Sequence, residues 1–209
     1  ARGQIRPSTF LGPVTLTGTA RIGLGDLHPN VRLDASRETL RRRVTVSGYH
    51  ELASIDEGAR HLGPGNSLMA LIFGRDDGDY YRRSGGQLEW TPPLSARRSF
   101  RVRGYAEYHQ AVSGQTDFAL IHIGSDSWSY RPNLEAQEGW EYGAAVDLNP
   151  WWGTDPRLVQ GGFDALLQGG TGMTDYARTS LIGRVVFPVT EKFRVAAEAG
   201  GGTSWGSPS

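Results

Sequence analysis

The sequence predicts an all-β chain: an antiparallel up-and-down transmembrane β-barrel, present as a fragment of about nine to ten strands of a larger barrel. Three observations carry that expectation. Apolar and polar residues alternate with period two in segment after segment, several of them about a dozen residues long. No segment keeps a 3.6-residue period over a helical length, which argues against an α/β sheet. The connections are of two kinds, short turns and long polar stretches. Period two sends successive side chains to opposite faces of a strand. Strands of soluble proteins run to about five or six residues, whereas about ten or more suit a tilted crossing of a bilayer.

Residues 1–12 (ARGQIRPSTFLG) have no period and read as a lead-in or linker, ahead of a partial barrel domain over 13–209. Residues 14–24 alternate Val14, Leu16, Gly18, Ala20 and Ile22 against Thr15, Thr17, Thr19 and Arg21. After a turn at 25–30, residues 31–37 oppose Val31, Leu33 and Ala35 to Arg32, Asp34 and Ser36. A turn at Glu38 and Thr39 leads to a strand over 40–52. The stretch 53–79 interrupts the pattern with Gly, Asp and Arg, and its one apolar run (67–73, SLMALIF) is too short to assign. Strand 80–90, the Pro-Pro turn at 91–98 and strand 100–109 follow; the last has the cleanest alternation in the chain. After a second long loop at 110–138, strands are expected at 140–148 and 157–168, separated by the turn NPWWGTDP at 149–156. A Gly-rich tip at 169–174 precedes a hairpin, 175–187 and 193–205, broken at Pro188, which cannot donate to a ladder.

If these strands simply go up and down, the turns at 91–98, 149–156 and 188–192 share one end and the two long loops the other. Outer-membrane barrels show that asymmetry. Aromatics sit near strand ends, at Trp90, Phe100, Trp140, Trp151, Trp152, Phe187, Phe193 and Trp205, where interfacial girdles belong. The polar faces carry Arg21, Arg32, Asp34, Arg101, Arg103, Glu107, Glu141, Asp147, Asp164, Arg178, Arg184, Arg194 and Glu198. In a barrel these are candidate lumen-facing residues that pair with one another and keep charge away from lipid.

Composition narrows the class. The 209 residues include 22 basic and 22 acidic residues, 29 Gly and no Cys. Zero net charge gives no reason to expect nucleic acid as a partner. A mean hydropathy of −0.42 and the lack of any apolar run of about 18 residues exclude a helical membrane protein, but not a barrel. The sequence R-D-D-G-D at 75–79 lacks the spacing of a calcium loop and reads as a solvated acidic loop. His28, His50, His61, His109 and His122 show no metal-pairing spacing, and no nucleophile elbow or phosphate loop occurs. No cofactor, no metal and no catalytic residue is expected.

The segment 187–206, FPVTEKFRVAAEAGGGTSWG, resembles a hairpin of the Omp85 superfamily, the sixteen-stranded barrels of BamA/TamA and surface-antigen type. Residues 24–90, with GLGDLHPNVRLDAS and LIFGRDDGDYYRRSGGQLEW, are similar to early barrel strands of bacterial surface antigens. The resemblance implies a location in the bacterial outer membrane, contact with its lipid, and unfolded or secreted polypeptides as substrates. It also implies a lumenal loop bearing Arg-Gly-Phe/Tyr, and Ser209 falls where that loop would begin. Arg103-Gly104-Tyr105 spells the tripeptide, yet the alternation around it reads as strand. The family's periplasmic POTRA repeats have no counterpart in this sequence. Nine is an odd strand count, whereas bacterial single-chain barrels have even ones, so a piece of a larger barrel is expected. The expected role is non-enzymatic: outer-membrane protein assembly or polypeptide translocation. A porin-like channel for small solutes and a soluble ligand-binding barrel or sandwich are the alternatives.

Overall fold

The computed structural model describes residues 1–9, 12–22, 28–54, 69, 71–73, 78–93, 99–112, 120–123, 133, 137–190 and 193–206. Its long strands are β3 (Gly12–Ile22), β4 (Pro29–Glu38), β5 (Arg43–Ser54), β6 (Tyr80–Thr91), β7 (Phe100–Ala111), β8 (Gly139–Leu148), β10 (Gln160–Gly172), β11 (Tyr176–Pro188) and β12 (Arg194–Gly206). Short strands β1 (Arg2–Ile5), β2 (Ser8–Thr9) and β9 (Trp151–Trp152) complete a single sheet. All pairings are antiparallel, and the order runs β1-β3-β4-β5-β6-β7-β8-β10-β11-β12, with β2 on β3 and β9 on β10. Among the described residues the sheet is open: nothing pairs β12 with β1.

The nine long strands coincide with the nine alternating segments, and the differences at their ends have local causes. Residues 40–42 belong to the β4–β5 turn, because the Thr39 hydroxyl accepts hydrogen bonds from the backbone N–H groups of Arg41 and Arg42. The Asp155 carboxylate accepts from the N–H of Arg157 at 2.9 Å, and so delays β10 to Gln160. At the other end β10 runs through the Gly-rich tip as far as Gly172, whose φ of 136° suits only glycine. A Cβ there would stand 2.1 Å from the carbonyl oxygen of Trp140. The lead-in contributes β1, which pairs Arg2 with Thr19 and Ile5 with Leu16. Two of the turn residues at 149–156, Trp151 and Trp152, pair with Gly162 and Gly161. The Arg103-Gly104-Tyr105 triplet lies inside β7. Of the run 67–73, Met69, Leu71, Ile72 and Phe73 are described and are helical, whereas residues 75–77 of the acidic stretch and His61 fall outside the described residues.

The register defines two faces of opposite character. One row joins Thr17, Asp34, Ser47, Gln87, Tyr105, Gly143, Gly170 and Tyr176; the next joins Thr19, Arg32, Tyr49, Gly85, Glu107 and Glu141. The opposite face carries rows such as Leu16–Ala35–Val46–Leu88 and Val102–Val146–Leu167. Burial follows the polar face. Ser47, Glu107, His109, Glu141 and Gln168 are buried, whereas Leu33 and Leu167 are 63% and 61% exposed. That distribution is the reverse of a soluble domain, where large apolar side chains go inside and unpaired charges stay out.

Glycine lets the polar face close over itself. A Cβ on Gly143 would sit 2.3 Å from the Tyr105 ring, and one on Gly170 would sit 2.6 Å from the Tyr176 ring. Each tyrosine therefore lies flat across a neighbouring strand. Gly143→Val is expected to displace Tyr105 and destabilise the fold by about 1–3 kcal/mol, read from the urea midpoint. Gly201→Ala is the control and should be near neutral, since nothing lies within 4 Å of its Cβ position.

Candidate functional site

The polar face holds two connected clusters. The first is centred on Glu107 of β7. Tyr49 of β5 reaches across Gly85 of β6, which has no side chain to block it, and donates its hydroxyl to Glu107. Arg83 Nη1 lies 3.5 Å from the same carboxylate, and His109 Nε2 is 3.3 Å from its other oxygen. Arg83 also donates to Glu51 at 2.8 Å, and Arg32 reaches Glu51 at 3.5 Å, Asp34 at 2.9 Å and Ser47 at 3.1 Å. The Arg32 and Arg83 guanidiniums stand 5.1 and 5.0 Å from the Tyr49 ring centre, so the ring is held by both cations.

The second cluster is centred on Glu141 of β8, paired across the strands with Glu107. Its carboxylate accepts from the hydroxyls of Tyr176 at 2.8 Å and Tyr105 at 3.1 Å. Those hydroxyls are 2.6 Å apart, and Gln168 Nε2 donates to both at 2.7 and 2.9 Å. Arg178 closes the chain by donating to Gln168 Oε1 at 2.8 Å. Two carboxylates directly opposite each other repel. Here each is surrounded by its own set of donors, and bonds to ionised groups are about twice as strong as neutral ones.

Of the polar-face residues expected from sequence, Arg101 pairs with Asp147 at 3.0 Å, and Arg184 pairs with Glu198. Arg103 lies 5.7 Å from the Tyr105 ring centre. Arg21 and Arg194 share the polar face but are exposed, near strand ends. The alternation puts Tyr105 and Tyr176 on the polar face without singling them out, and it does not bring forward Tyr49, Gly85, Gly143, Gly170, Arg83 or Gln168. For the three tyrosines the signal is a Tyr opposite a Gly in register, and it needs the pairing of strands to be seen.

The aromatics form two levels on the apolar face. At the short-turn end Trp90 meets Phe100 edge-on at 5.2 Å, and Trp152 meets Phe163 at 5.8 Å; Phe187 and Phe193 are exposed nearby in β11 and before β12. At the long-loop end Tyr108 meets Trp140 edge-on at 5.7 Å and Trp140 stacks on Tyr142 at 6.0 Å, and Trp205 stands on the same face. Trp151 is placed differently from the other expected aromatics. Its ring covers Gly162 on the polar face, in register with Arg184. Polar residues also occur on the apolar face: His50 and Ser84, in the row of Tyr108 and Trp140, bond at 2.6 Å, and Arg82 lies 3.5 Å from His50.

Among the described residues no cluster of His, Asp or Glu is arranged to hold a metal ion, and no helix is long and apolar enough to cross a membrane. No protein-family model, curated protein or solved structure matches this chain.

The Glu107 cluster is expected to dominate local stability. Tyr49→Phe should cost about 1–3 kcal/mol, and a double-mutant cycle with Glu107→Gln should show coupling of about 1 kcal/mol or more. Arg184→Ala, which breaks a pair whose side chains are 52% and 47% exposed, should cost under about 1 kcal/mol. Urea titration of the refolded protein checks all three.

Proposed function

We propose that this chain forms wall of a bacterial outer-membrane β-barrel of the Omp85/surface-antigen type, acting in outer-membrane protein assembly or polypeptide translocation. The observation that carries the membrane reading is the inversion of the two faces. A sheet with buried, mutually bonded charges on one side and exposed Leu, Val and Trp on the other suits hydrocarbon outside and a wet lumen inside.

The long-loop aromatic level suits a tilted barrel wall in slope, and β12 suits it in length. Trp205 is level with Ala177, Gly169 and Ala144, and Ala144 lies four residues from Trp140. The long-loop level thus descends by four residues over three strand-to-strand steps. With strands about 4.8 Å apart and rising about 3.4 Å per residue, that slope is a strand tilt of about 40°, within the usual range for barrels. From Val195 to Trp205 is ten residues along β12. At that tilt they span about 26 Å, close to the height of an outer-membrane apolar band.

Two further features favour polypeptide handling over solute passage. The polar-face groups are engaged with each other, which suits a braced wall rather than a lining that exchanges ions. The 13-residue β12 has an edge unpaired among the described residues, and such an edge offers backbone donors and acceptors to an extended polypeptide. The Omp85 assignment itself rests on the sequence resemblance of residues 187–206.

The membrane reading predicts that the protein fractionates with the outer membrane and runs faster on gels unheated than heated. A monodisperse, detergent-free protein in plain buffer would overturn it. In planar bilayers the assembly reading predicts no large steady conductance steps, and their presence would make the protein a porin-like channel instead.

A further inference from the structure

The β4–β5 turn is closed by hydrogen bonds, cationic and tipped by an apolar side chain. Its backbone closes with the Thr39 N–H donating to the Arg42 carbonyl at 2.8 Å, and the Thr39 hydroxyl accepts from the N–H groups of Arg41 and Arg42. Leu40 at the tip is 99% exposed. Arg37, Arg41 and Arg42 are exposed too, and none has an ion-pair partner among the described residues. Arg43 is excluded from the patch, because it turns to the polar face and donates to Ser36 at 3.1 Å.

The position of the patch selects its partner. Arg37 is in register with Val14 and Val44, the last apolar residues of β3 and β5 toward the short turns. Arg37 therefore stands on the apolar face, in the row where the apolar residues of its two neighbours end. The turn tip lies two to three residues further on, about 8 Å along the tilted strands. That is about the depth of one headgroup layer. Cations at that depth meet lipid phosphates, and an apolar residue among them is sheltered by the adjoining acyl boundary.

We propose that the 37–42 turn is a docking surface for anionic phospholipid in the leaflet on the short-turn side, with Arg37, Arg41 and Arg42 binding phosphate and Leu40 seated among the headgroups. The proposal rests on the membrane reading above. It adds a lipid preference that a barrel wall need not have.

The test is lipid selectivity in phosphatidylcholine vesicles containing a trace of spin-labelled phosphatidylglycerol or spin-labelled phosphatidylcholine. The full chain is first shown to resist carbonate extraction. The wild type is expected to favour the phosphatidylglycerol probe about fivefold, and about 0.5 M salt should abolish the preference. The triple variant R37Q/R41Q/R42Q should lose the preference, and the corresponding triple Arg→Lys variant should keep it. If the neutral triple variant does not integrate, Arg41→Gln and Arg42→Gln alone should each lower the preference by about half. A wild type that integrates without preference, or variants that equal it, overturns the lipid site and leaves the barrel reading standing. Extraction of the wild type by carbonate removes the barrel reading first. Loss of polyglutamate binding in the triple variant with lipid preference unchanged would assign the turn to an acidic protein partner and overturn the proposal.

Discussion

The fold depends on a geometric constraint: a tyrosine can reach a carboxylate two strands away only if the strand between presents a glycine. Tyr49 crosses Gly85 to Glu107, and Tyr176 crosses Gly170 to reach Gln168 and Glu141. Tyr105 lies over Gly143 and joins Tyr176, Gln168 and Glu141. Each crossing covers backbone that glycine leaves bare and supplies a donor to a buried charge. Without these donors, Glu107 and Glu141, 4% and 6% exposed and opposite each other, would bring two negative charges together with little water to screen them. The arginines then complete the neutralisation, Arg83 directly and Arg32 through Glu51.

The faces follow from this. Once the polar side satisfies its charges internally, the sheet needs no second layer over it, and the described residues supply none. The other side is left mostly with Val, Leu, Ala, Gly and aromatic residues. In water such a surface would aggregate or find a cover. In the proposed setting hydrocarbon is that cover, and the aromatic levels mark where it ends. His50 and Ser84 interrupt the apolar face in the row of Tyr108 and Trp140, where they bond to each other and His50 also meets Arg82.

Much of the architecture was legible in the sequence because strand alternation is local. Val102, Gly104 and Ala106 against Arg101, Arg103 and Glu107 declare two faces without knowledge of any neighbour. What was not legible depends on pairing. Gly85 and Gly143 look like weak points in isolated strands and become sites of close approach only when Tyr49 and Tyr105 are known to lie opposite. Trp151 has the composition of a girdle residue, but β9 turns its ring over Gly162 toward Arg184. Arg2–Ile5 carried no period, because a four-residue edge strand that is exposed throughout has no buried face to record.

The distribution of these side-chain ties makes the sheet unequal along its width. From β4 to β11, strands are linked by hydroxyls, carboxylates and guanidiniums as well as by backbone. β12 is exposed along its whole length and has one such tie, the Arg184–Glu198 pair. Bonds that bridge alternate strands hold those strands together on one face as well as through their ladders. The β12 margin lacks such ties. It is the hem of the sheet, held to β11 by its backbone ladder and a single ion pair.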